Sequence, residues 1–285
     1  GSKIFGEITA TYDKPWALSL IENDTMLITT KDGVLWLVNA SGFKKPVGNV
    51  PKVSVGGQGG LGDVVIHPEF DENRLIYISY VHSENLGITK FAKIIRAKLH
   101  ISESPTLSDI IEIWRQTPAT TGNGHFSHKM VFGPAGSNYE RDIFITSGDR
   151  QKMNPAQNWD TNLGKIIRIT EDGEVPKDNP FMNKGLLAKS FWTLGHRNAL
   201  GIAFSKSGQL WSTEMGPRDG DELNLIQKGK NYGWPIVSEG SHYSGIKIPS
   251  HETYPEFQAP ELFWVPTIAP SGLAFYEGTK LSLIH

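Results

Sequence analysis

Short runs of alternating apolar and polar residues, separated by turn residues, follow one another along most of the chain. This period of two is typical of β-strands, whereas the 3.6-residue period of amphipathic helices is nearly absent. A unit of paired runs joined by a short polar, glycine or proline turn recurs at residues 17–30, 63–80, 129–148, 201–214 and from 272 onward. The pattern predicts an all-β protein built from repeats.

The spacing of these repeats indicates a β-propeller. Their starts lie 46 to 72 residues apart by subtraction, which matches a four-stranded blade of about 40–50 residues with loops of variable length. A β-sandwich is the alternative, but a sandwich would not repeat the same two-strand unit so often along the chain. We expect residues 1–285 to form a single propeller domain that gathers its functional loops on one face.

Composition and charge narrow the classes of function. Charged residues make up 20% of the chain and the formal net charge is −2, which argues against a nucleic-acid surface or a polybasic membrane patch. No apolar stretch approaches the roughly 20 residues that a membrane-spanning helix needs. The chain has no cysteine, which excludes disulfides and thiolate metal ligands and is compatible with a periplasmic or extracellular location.

Two glycine-containing loops stand directly before predicted strands. Residues 56–62 read GGQGGLG, and Gln58 is the only functional side chain among them. Such a run lets the backbone approach a ligand closely, although a plain turn between blades is the favoured interpretation of the run alone. Residues 122–128 read GNGHFSH, and His125 is the side chain best suited to accept a proton near neutral pH. By itself, a histidine in a loop is more often simply solvated.

The densest polar cluster spans residues 194–235. Its acidic residues and its glycine and proline carbonyls are hard oxygen ligands that suit Ca²⁺, although the spacing of an EF-hand loop is absent. Arg197 and Asn198 offer hydrogen-bond donors to an anionic cofactor or to a developing oxyanion. A charged surface loop is the alternative, but the accumulation of Arg-Asn, Gly-Pro and Trp-Pro pairs favours a functional site.

Together these motifs resemble those of the soluble PQQ-dependent aldose sugar dehydrogenases, the glucose/sorbosone dehydrogenase family. The matching strings follow the family's order over nearly the whole chain: GGQGGLGDVVIHPEF, GHFSHKMVFGP, LGKIIRITEDGEVPKDNPF, TLGHRNALGIAF, EMGPRDGDELNLIQKGKNYGWP and APSGLAFY. The resemblance implies a six-bladed propeller with PQQ and Ca²⁺ in its central cavity. It also implies the oxidation of aldose sugars to lactones.

The resemblance assigns roles to individual residues around the cofactor. His125 is expected to be the general base, with Ca²⁺ acting as a Lewis acid on the quinone. Gln58, Arg197 and Asn198 match positions that contact PQQ, and Arg197 is expected to stabilise charge that develops on the quinone oxygen. Tyr243, in the string HYSG, matches a further tyrosine on the cofactor side.

The resemblance also assigns metal ligands. Gly216 and Pro217 match positions whose backbone carbonyls hold the active-site Ca²⁺ in some family members. Glu222 and the carbonyl of Tyr232 match a Ca²⁺ site in others.

Several departures from the family pattern concern the sugar pocket and the completeness of the propeller ring. After the base the family commonly reads H-x-G-G-R-L, whereas this chain has Ser127 and His128, whose bulk is expected to narrow or reshape the sugar pocket. Gly124 stands where some glucose-oxidising members have aspartate.

After residue 276 the chain no longer resembles the family's continuation, which carries a lysine and a pair of arginines that bind PQQ carboxylates. Either the chain is truncated, or a partner chain completes it, or a variant ring closes with fewer blades.

The sequence therefore predicts a propeller of the six-bladed quinoprotein glucose dehydrogenase type, apparently truncated at its C-terminus. We expect aldose sugars and an external electron acceptor as partners, no nucleic acid, no membrane insertion, and a monomer or homodimer. A periplasmic or secreted location is expected, with the leader absent from this sequence. The alternatives are a non-catalytic extracellular binding propeller and a calcium-dependent sugar lactonase.

Overall fold

The structure is a computed structural model that describes residue 6, residues 8–21 and residues 24–278. Within these residues the strands form four sheets of four strands each, and within each sheet consecutive strands pair antiparallel. Each sheet is therefore a continuous meander, which is the form of a propeller blade. This arrangement confirms the predicted all-β propeller.

The strand bounds follow the repeats. Blade 1 contains β1 (Pro15–Ile21), β2 (Thr25–Thr30), β3 (Leu35–Val38) and β4 (Lys44–Pro46). Blade 2 contains β5 (Leu61–Ile66), β6 (Leu75–Glu84), β7 (Thr89–His100) and β8 (Thr106–Arg115). Blade 3 contains β9 (Ser127–Phe132), β10 (Asp142–Ser147), β11 (Lys165–Thr170) and β12 (Phe191–Leu194). Blade 4 contains β13 (Ala199–Phe204), β14 (Leu210–Glu214), β15 (Asp221–Ile226) and β16 (Leu262–Trp264).

Helical structure among the described residues is limited to single turns. They are α1 (Phe70–Asn73) and the 3₁₀ turns Asn85–Gly87, Asn154–Gln157, Ala188–Ser190 and His251–Thr253. None of these described helices has the length and apolar character needed to cross a membrane.

The first strand of each blade lies at the centre of the ring. β1 contacts β5, β5 contacts β9, and β9 contacts β13. These strands surround a central channel of about 400 Å³, which residues 272–274 also line. The start of the fifth sequence repeat thus lies beside the innermost strands.

Apolar side chains fill the spaces between neighbouring blades. Strands in this position are buried on both faces, so their sequences read as nearly continuous apolar runs rather than as alternating ones. β10 is an example, because all of its residues are buried. Examples of core residues between blades 1 and 2 are Leu27, Leu35, Val64, Ile76 and Ile78. Examples between blades 3 and 4 are Phe144, Ile166, Trp192, Ile202 and Leu210.

The number of blades differs from the number that the family resemblance implies. The repeats at residues 17–30, 63–80, 129–148 and 201–214 supply the two inner strands of blades 1 to 4. In the fifth repeat, residues 272–278 form no strand, and the remainder lies outside the described residues. The described residues hold four complete meanders and thus four blades, whereas the resemblance implies six for a whole propeller.

Candidate active site

Loops from three blades meet at one end of the ring. Gln58 lies in the loop that enters β5, His125 in the loop that enters β9, and Arg197 in the loop that enters β13. The backbone N–H of His125 donates to Gln58 Oε1 at 2.6 Å and so joins the first two loops. The N–H of Asp149, in the loop after β10, donates to the Arg197 carbonyl at 2.8 Å. The repeat architecture therefore brings together residues that are far apart in sequence.

His125 and Asp149 form a buried hydrogen-bonded pair at this end. The Nδ1 atom of His125 lies 2.7 Å from Oδ1 of Asp149, and the two side chains are 8% and 0% exposed. Asp149 also accepts hydrogen bonds from Trp234 Nε1 at 2.8 Å and from the backbone N–H groups of Gln151 and Met153. Because the carboxylate accepts the Nδ1 proton, the lone pair of His125 lies on Nε2. The pair has the geometry of a general base held in one tautomer.

The glycine run before β5 supports the His125 loop. The N–H of Gln58 donates to the Asn123 carbonyl at 2.7 Å. Gly57 has φ +53°, and a Cβ at this position would lie 2.4 Å from the Asn123 carbonyl oxygen. Glycine is required here because the two loops approach each other closely. The run is thus a turn packed against the neighbouring loop, and Gln58 holds that loop through its backbone N–H and its side-chain oxygen.

Arg150 fixes the same loop from inside the protein. This residue is 1% exposed, and its guanidinium donates to the carbonyls of Lys90, Gly122 and Gly124 at 2.7 to 2.9 Å. It also stacks 3.7 Å from the centroid of the Phe126 ring. Burial lowers the pKa of Arg150 to about 10, which leaves the guanidinium protonated near neutral pH. The loop is therefore anchored on both sides of His125.

A cavity of about 170 Å³ opens beside this pair. It is lined by His125, Asp149, Gln151, Met153, Arg197, Pro217, Trp234, His242 and Tyr243. Three of the predicted catalytic or cofactor-binding residues, His125, Arg197 and Tyr243, thus share one cavity.

Arg197 supplies a positive charge to the cavity. One Nη atom donates to the Met215 carbonyl at 2.8 Å, and the other lies 3.4 Å from the Tyr243 hydroxyl. The guanidinium carbon lies 5.5 Å from the centre of the Trp234 ring, which is a cation–π distance. The backbone N–H of Arg197 donates to Glu214. These contacts hold the guanidinium at the wall of the cavity, beside the face of the Trp234 ring.

Asn198 and the two departure residues lie away from the cavity. Asn198 is 1% exposed, and its Oδ1 accepts a hydrogen bond from Ser127 Oγ at 3.1 Å. His128 is also 1% exposed, and its Nδ1 lies 2.7 Å from Ser79 Oγ. Ser127 and His128 both have φ +57°, and none of these side chains lines the cavity. The side chains of Ser127 and His128 fill the interior of the protein, and the expectation that their bulk narrows or reshapes the sugar pocket stays a prediction.

A smaller enclosed space adjoins Arg197. All four predicted metal ligands, Gly216, Pro217, Glu222 and Tyr232, line it together with Glu214. No group of three or more histidine, cysteine or acidic side chains that would hold a metal occurs among the described residues. Carboxylates combined with backbone carbonyls are the donor set of a hard cation such as Ca²⁺.

The charges around this space are unbalanced. Glu214 accepts hydrogen bonds from His196 Nδ1 and from the N–H of Arg197. Glu222 Oε2 accepts one from Asn224 at 3.1 Å, and no other described residue donates to its carboxylate. Burial, together with the negative charge of Glu214, raises the pKa of Glu222 to about 8. A cation in this space would offset both the burial of the Glu222 carboxylate and its repulsion by Glu214.

Several residues of the site were not predicted as functional. Asp149 had a recognisable signal. Because β9 and β10 form an antiparallel hairpin, the residues just after β10 lie at the same end as the residues just before β9, which include His125. Glu214 has the same signal at the end of β14. Trp234 belongs to the Trp-Pro pair that favoured a functional site, but the sequence assigned it no role. Gln151 had no signal, because the path of its loop has no period.

The buried His128 gives a pH dependence of stability. Burial, followed by the charges of Lys129 and Arg150, lowers its pKa from 6.5 to about 3. The unfolded chain therefore binds a proton below pH 6.5 that the folded chain does not, and the free energy of unfolding falls as the pH drops from 6.5 towards 3. At pH 5 we expect His128 to contribute a loss of roughly 2 kcal/mol.

Urea unfolding at pH 7 and pH 5 checks this expectation. The parent is expected to lose about 2 kcal/mol more than His128→Gln between the two pH values. Equal losses in the two proteins would contradict it. The comparison uses the difference between pH values, so any constant destabilisation by the substitution cancels.

Comparison with known proteins agrees with the geometry. The family model of glucose/sorbosone dehydrogenases matches residues 12–284. The aldose sugar dehydrogenase of Escherichia coli strain K12 is 38% identical over 274 residues, which cover 94% of this chain and 72% of that protein.

Solved structures give the same result. The apo form of the soluble aldose sugar dehydrogenase from Escherichia coli matches with a TM-score of 0.86 at 38% identity, over 94% of this chain and 77% of that one. The PQQ-bound aldose sugar dehydrogenase from Streptomyces coelicolor matches with a TM-score of 0.80 at 26% identity, over 97% of this chain and 75% of that one. The chain belongs to the glucose/sorbosone dehydrogenase family and is an oxidoreductase.

Proposed function

We propose that the protein oxidises aldose sugars to lactones, with PQQ and Ca²⁺ as cofactors. The observation that carries the proposal is the His125–Asp149 pair, which presents an imidazole Nε2 to a cavity that also holds the Arg197 guanidinium. The names of the similar aldose sugar dehydrogenases, one of them in a PQQ-bound form, support the same reaction and cofactor.

The cavity residues fit a flat, anionic quinone. Trp234 and Pro217 offer apolar faces, and Arg197 and the Tyr243 hydroxyl offer polar groups at the same wall. When bound, PQQ supplies a quinone that accepts two electrons in the form of a hydride. Arg197 would pair with its negative charge, which grows during the reaction.

The residues of this chain perform the proton chemistry. His125 Nε2 takes the proton of the anomeric hydroxyl as the C1 hydrogen leaves with its electron pair, and the sugar becomes the lactone. Asp149 holds the imidazole in the tautomer that can accept this proton and stabilises the imidazolium that forms. The side chains of Trp234 and Met153 line the same cavity beside His125.

Ca²⁺ would be held in the small space next to Arg197. Glu222 has a carboxylate oxygen without a described donor, and Gly216, Pro217 and Tyr232 offer backbone carbonyls. The Tyr232 carbonyl also accepts a hydrogen bond from His251 Nε2 at 3.1 Å, which orients it. The ion would neutralise the buried carboxylates and add a positive charge beside the cavity.

Substitution of Glu222 tests the cation site. Calcium at about 100 times its dissociation constant is expected to stabilise the parent by about 2.7 kcal/mol. Glu222→Gln is expected to lose most of this stabilisation, because the neutral amide cannot balance the charge of the ion. Thermal unfolding with and without calcium measures the effect, and Glu261→Gln, at an exposed glutamate, is the control. An unchanged calcium response in Glu222→Gln would rule out this site.

A reconstitution experiment tests the function itself. The protein is mixed with PQQ and Ca²⁺, supplied with aldoses, and monitored by reduction of an artificial electron acceptor. Sugar-dependent reduction that requires PQQ supports the proposal. No reduction and no thermal stabilisation by PQQ would instead favour a binding propeller, and hydrolysis of sugar lactones without PQQ would favour a lactonase. The proposal includes a periplasmic or secreted location and an external electron acceptor.

A further inference from the structure

The loop after β10 is strained where it borders the cavity. Arg150, Gln151 and Met153 have φ values of +56°, +60° and +60°, in the left-handed region that non-glycine residues rarely adopt. Such residues are strained and occur where a site requires a particular geometry. The carboxylate of Asp149 holds this backbone by accepting hydrogen bonds from the N–H groups of Gln151 and Met153 at 2.8 and 3.2 Å. The group that orients His125 therefore also holds the strained loop.

The Gln151 carboxamide lies against Gly124. A Cβ on Gly124 would lie 2.6 Å from the Cδ and Oε1 atoms of Gln151. The backbone of Gly124 has no left-handed φ, so a Cβ here would displace the flexible Gln151 carboxamide rather than strain the backbone. Gln151 is exposed and lines the cavity, and its carboxamide makes no hydrogen bond to any residue that the structure describes. A donor and an acceptor thus remain free within the cavity, directly beside the loop that carries His125.

The order of contacts locates Gln151 relative to the proposed cofactor groups. Asp149 connects His125 to Trp234, and Trp234 lies against Arg197. Gln151 contacts the residue before His125, at the other end of this series. If Arg197 faces the quinone, Gln151 faces the part of the cavity on the far side of the base, where a sugar would extend from its C1 atom.

We propose that Gln151 recognises a ring hydroxyl of the aldose, and that Gly124 provides the space that this side chain occupies. A carboxamide can both donate to and accept from a hydroxyl, so it distinguishes sugars by the position and orientation of that group. Met153, which lines the cavity and is 42% exposed, presents an apolar surface to the C–H groups of the same ring. This inference rests on the proposed aldose oxidation and names a residue that selects the sugar.

The test measures kcat/KM for a panel of aldoses and their deoxy analogues. Gln151→Met keeps the approximate volume and removes the polar atoms. We expect it to lower kcat/KM for the preferred aldose by about 3- to 10-fold, mainly through KM, since one neutral hydrogen bond is lost. The deoxy analogue that lacks the contacted hydroxyl is expected to be oxidised equally well by Gln151→Met and the parent. Gly124→Ala, whose Cβ displaces the carboxamide, is expected to change the order of preferred sugars in the same way.

Two further measurements make the result specific. PQQ binding, measured by quenching of tryptophan fluorescence, is expected to be the same in Gln151→Met and the parent. Gln209→Met, at an exposed glutamine in the turn between β13 and β14, is the matched control and is expected to keep the parent's sugar profile. If the parent oxidises aldoses and Gln151→Met keeps the parent's kcat/KM for every sugar and deoxy sugar, this inference alone is overturned. If the parent oxidises no aldose, the proposed function fails and the inference fails with it.

Discussion

Replacement of His125 by glutamine is expected to lower kcat for aldose oxidation by about 10²- to 10⁴-fold, the usual contribution of a general base. The physical reason is the loss of the His125 Nε2 lone pair, since the buried Asp149 carboxylate holds the Nδ1 proton and so fixes this tautomer. Glutamine keeps a polar side chain of similar length, so the loop held by Gln58 and Arg150 has no cause to rearrange. The KM for the sugar should therefore change far less than kcat.

The measurement is steady-state dye reduction with enzyme whose PQQ content has been titrated. His100→Gln, at an exposed histidine of β7, is the control for replacing a histidine elsewhere and should behave as the parent does. A kcat for His125→Gln that matches the parent's would show that another group accepts the proton. PQQ titration of both variants separates loss of chemistry from loss of the cofactor.

The fold was predictable because its signal is repeated. Each inner hairpin carries the same apolar pattern, and in four places the pattern became the innermost pair of strands of a blade. The segment from Gly272 has the same pattern but forms no strand in its described part. The sequence pattern alone therefore overstates the number of blades that the described residues complete.

The site was predictable where it depends on loops that enter innermost strands. His125 and Arg197 are in such loops, and they line one cavity. Gln58 is in another, but its side chain holds the His125 backbone rather than lining the cavity. The long loop after β15 brings Trp234 and Tyr243 to the cavity, and its path depends on tertiary contacts that no local pattern encodes.

Two glycines in similar sequence contexts, Gly57 and Gly124, have different structural roles. Gly57 is left-handed and lies against the Asn123 carbonyl, so it serves both backbone conformation and close packing of loops. Gly124 needs no left-handed φ and leaves room for a side chain that lines the cavity. The sequence shows only that both are glycine within glycine-containing loops, and the neighbours in space decide which role applies.

Asp149→Asn is expected to be nearly as damaging as removal of the base, with a loss of about 10²- to 10⁴-fold in kcat. The carboxylate of Asp149 accepts hydrogen bonds from His125, Trp234, Gln151 and Met153 and is fully buried. Oδ1 accepts from His125 and from the Gln151 N–H, whereas Oδ2 accepts from Trp234 and from the Met153 N–H. An asparagine has only one acceptor oxygen, so its NH₂ group must replace one of these two oxygens, and in either case a backbone N–H loses its acceptor. If the NH₂ group faces His125, it donates to Nδ1, the ring proton moves to Nε2, and no lone pair remains for the sugar hydroxyl. If it faces the other donors, buried N–H groups are left unpaired, at a cost of about 1–3 kcal/mol in stability.

These two arrangements give separate readouts. The ¹⁵N chemical shifts of the His125 ring report which nitrogen carries the proton, and urea unfolding reports the stability. We expect Asp149→Asn to show a changed tautomer, a lower stability, or both, together with the loss in kcat. Asp160→Asn, at an exposed aspartate that precedes β11, is the matched control and is expected to change neither. Full activity in Asp149→Asn with the parent's tautomer would contradict the assignment of His125 as a base that depends on a buried carboxylate, because nothing else among the described residues bonds to its Nδ1 atom.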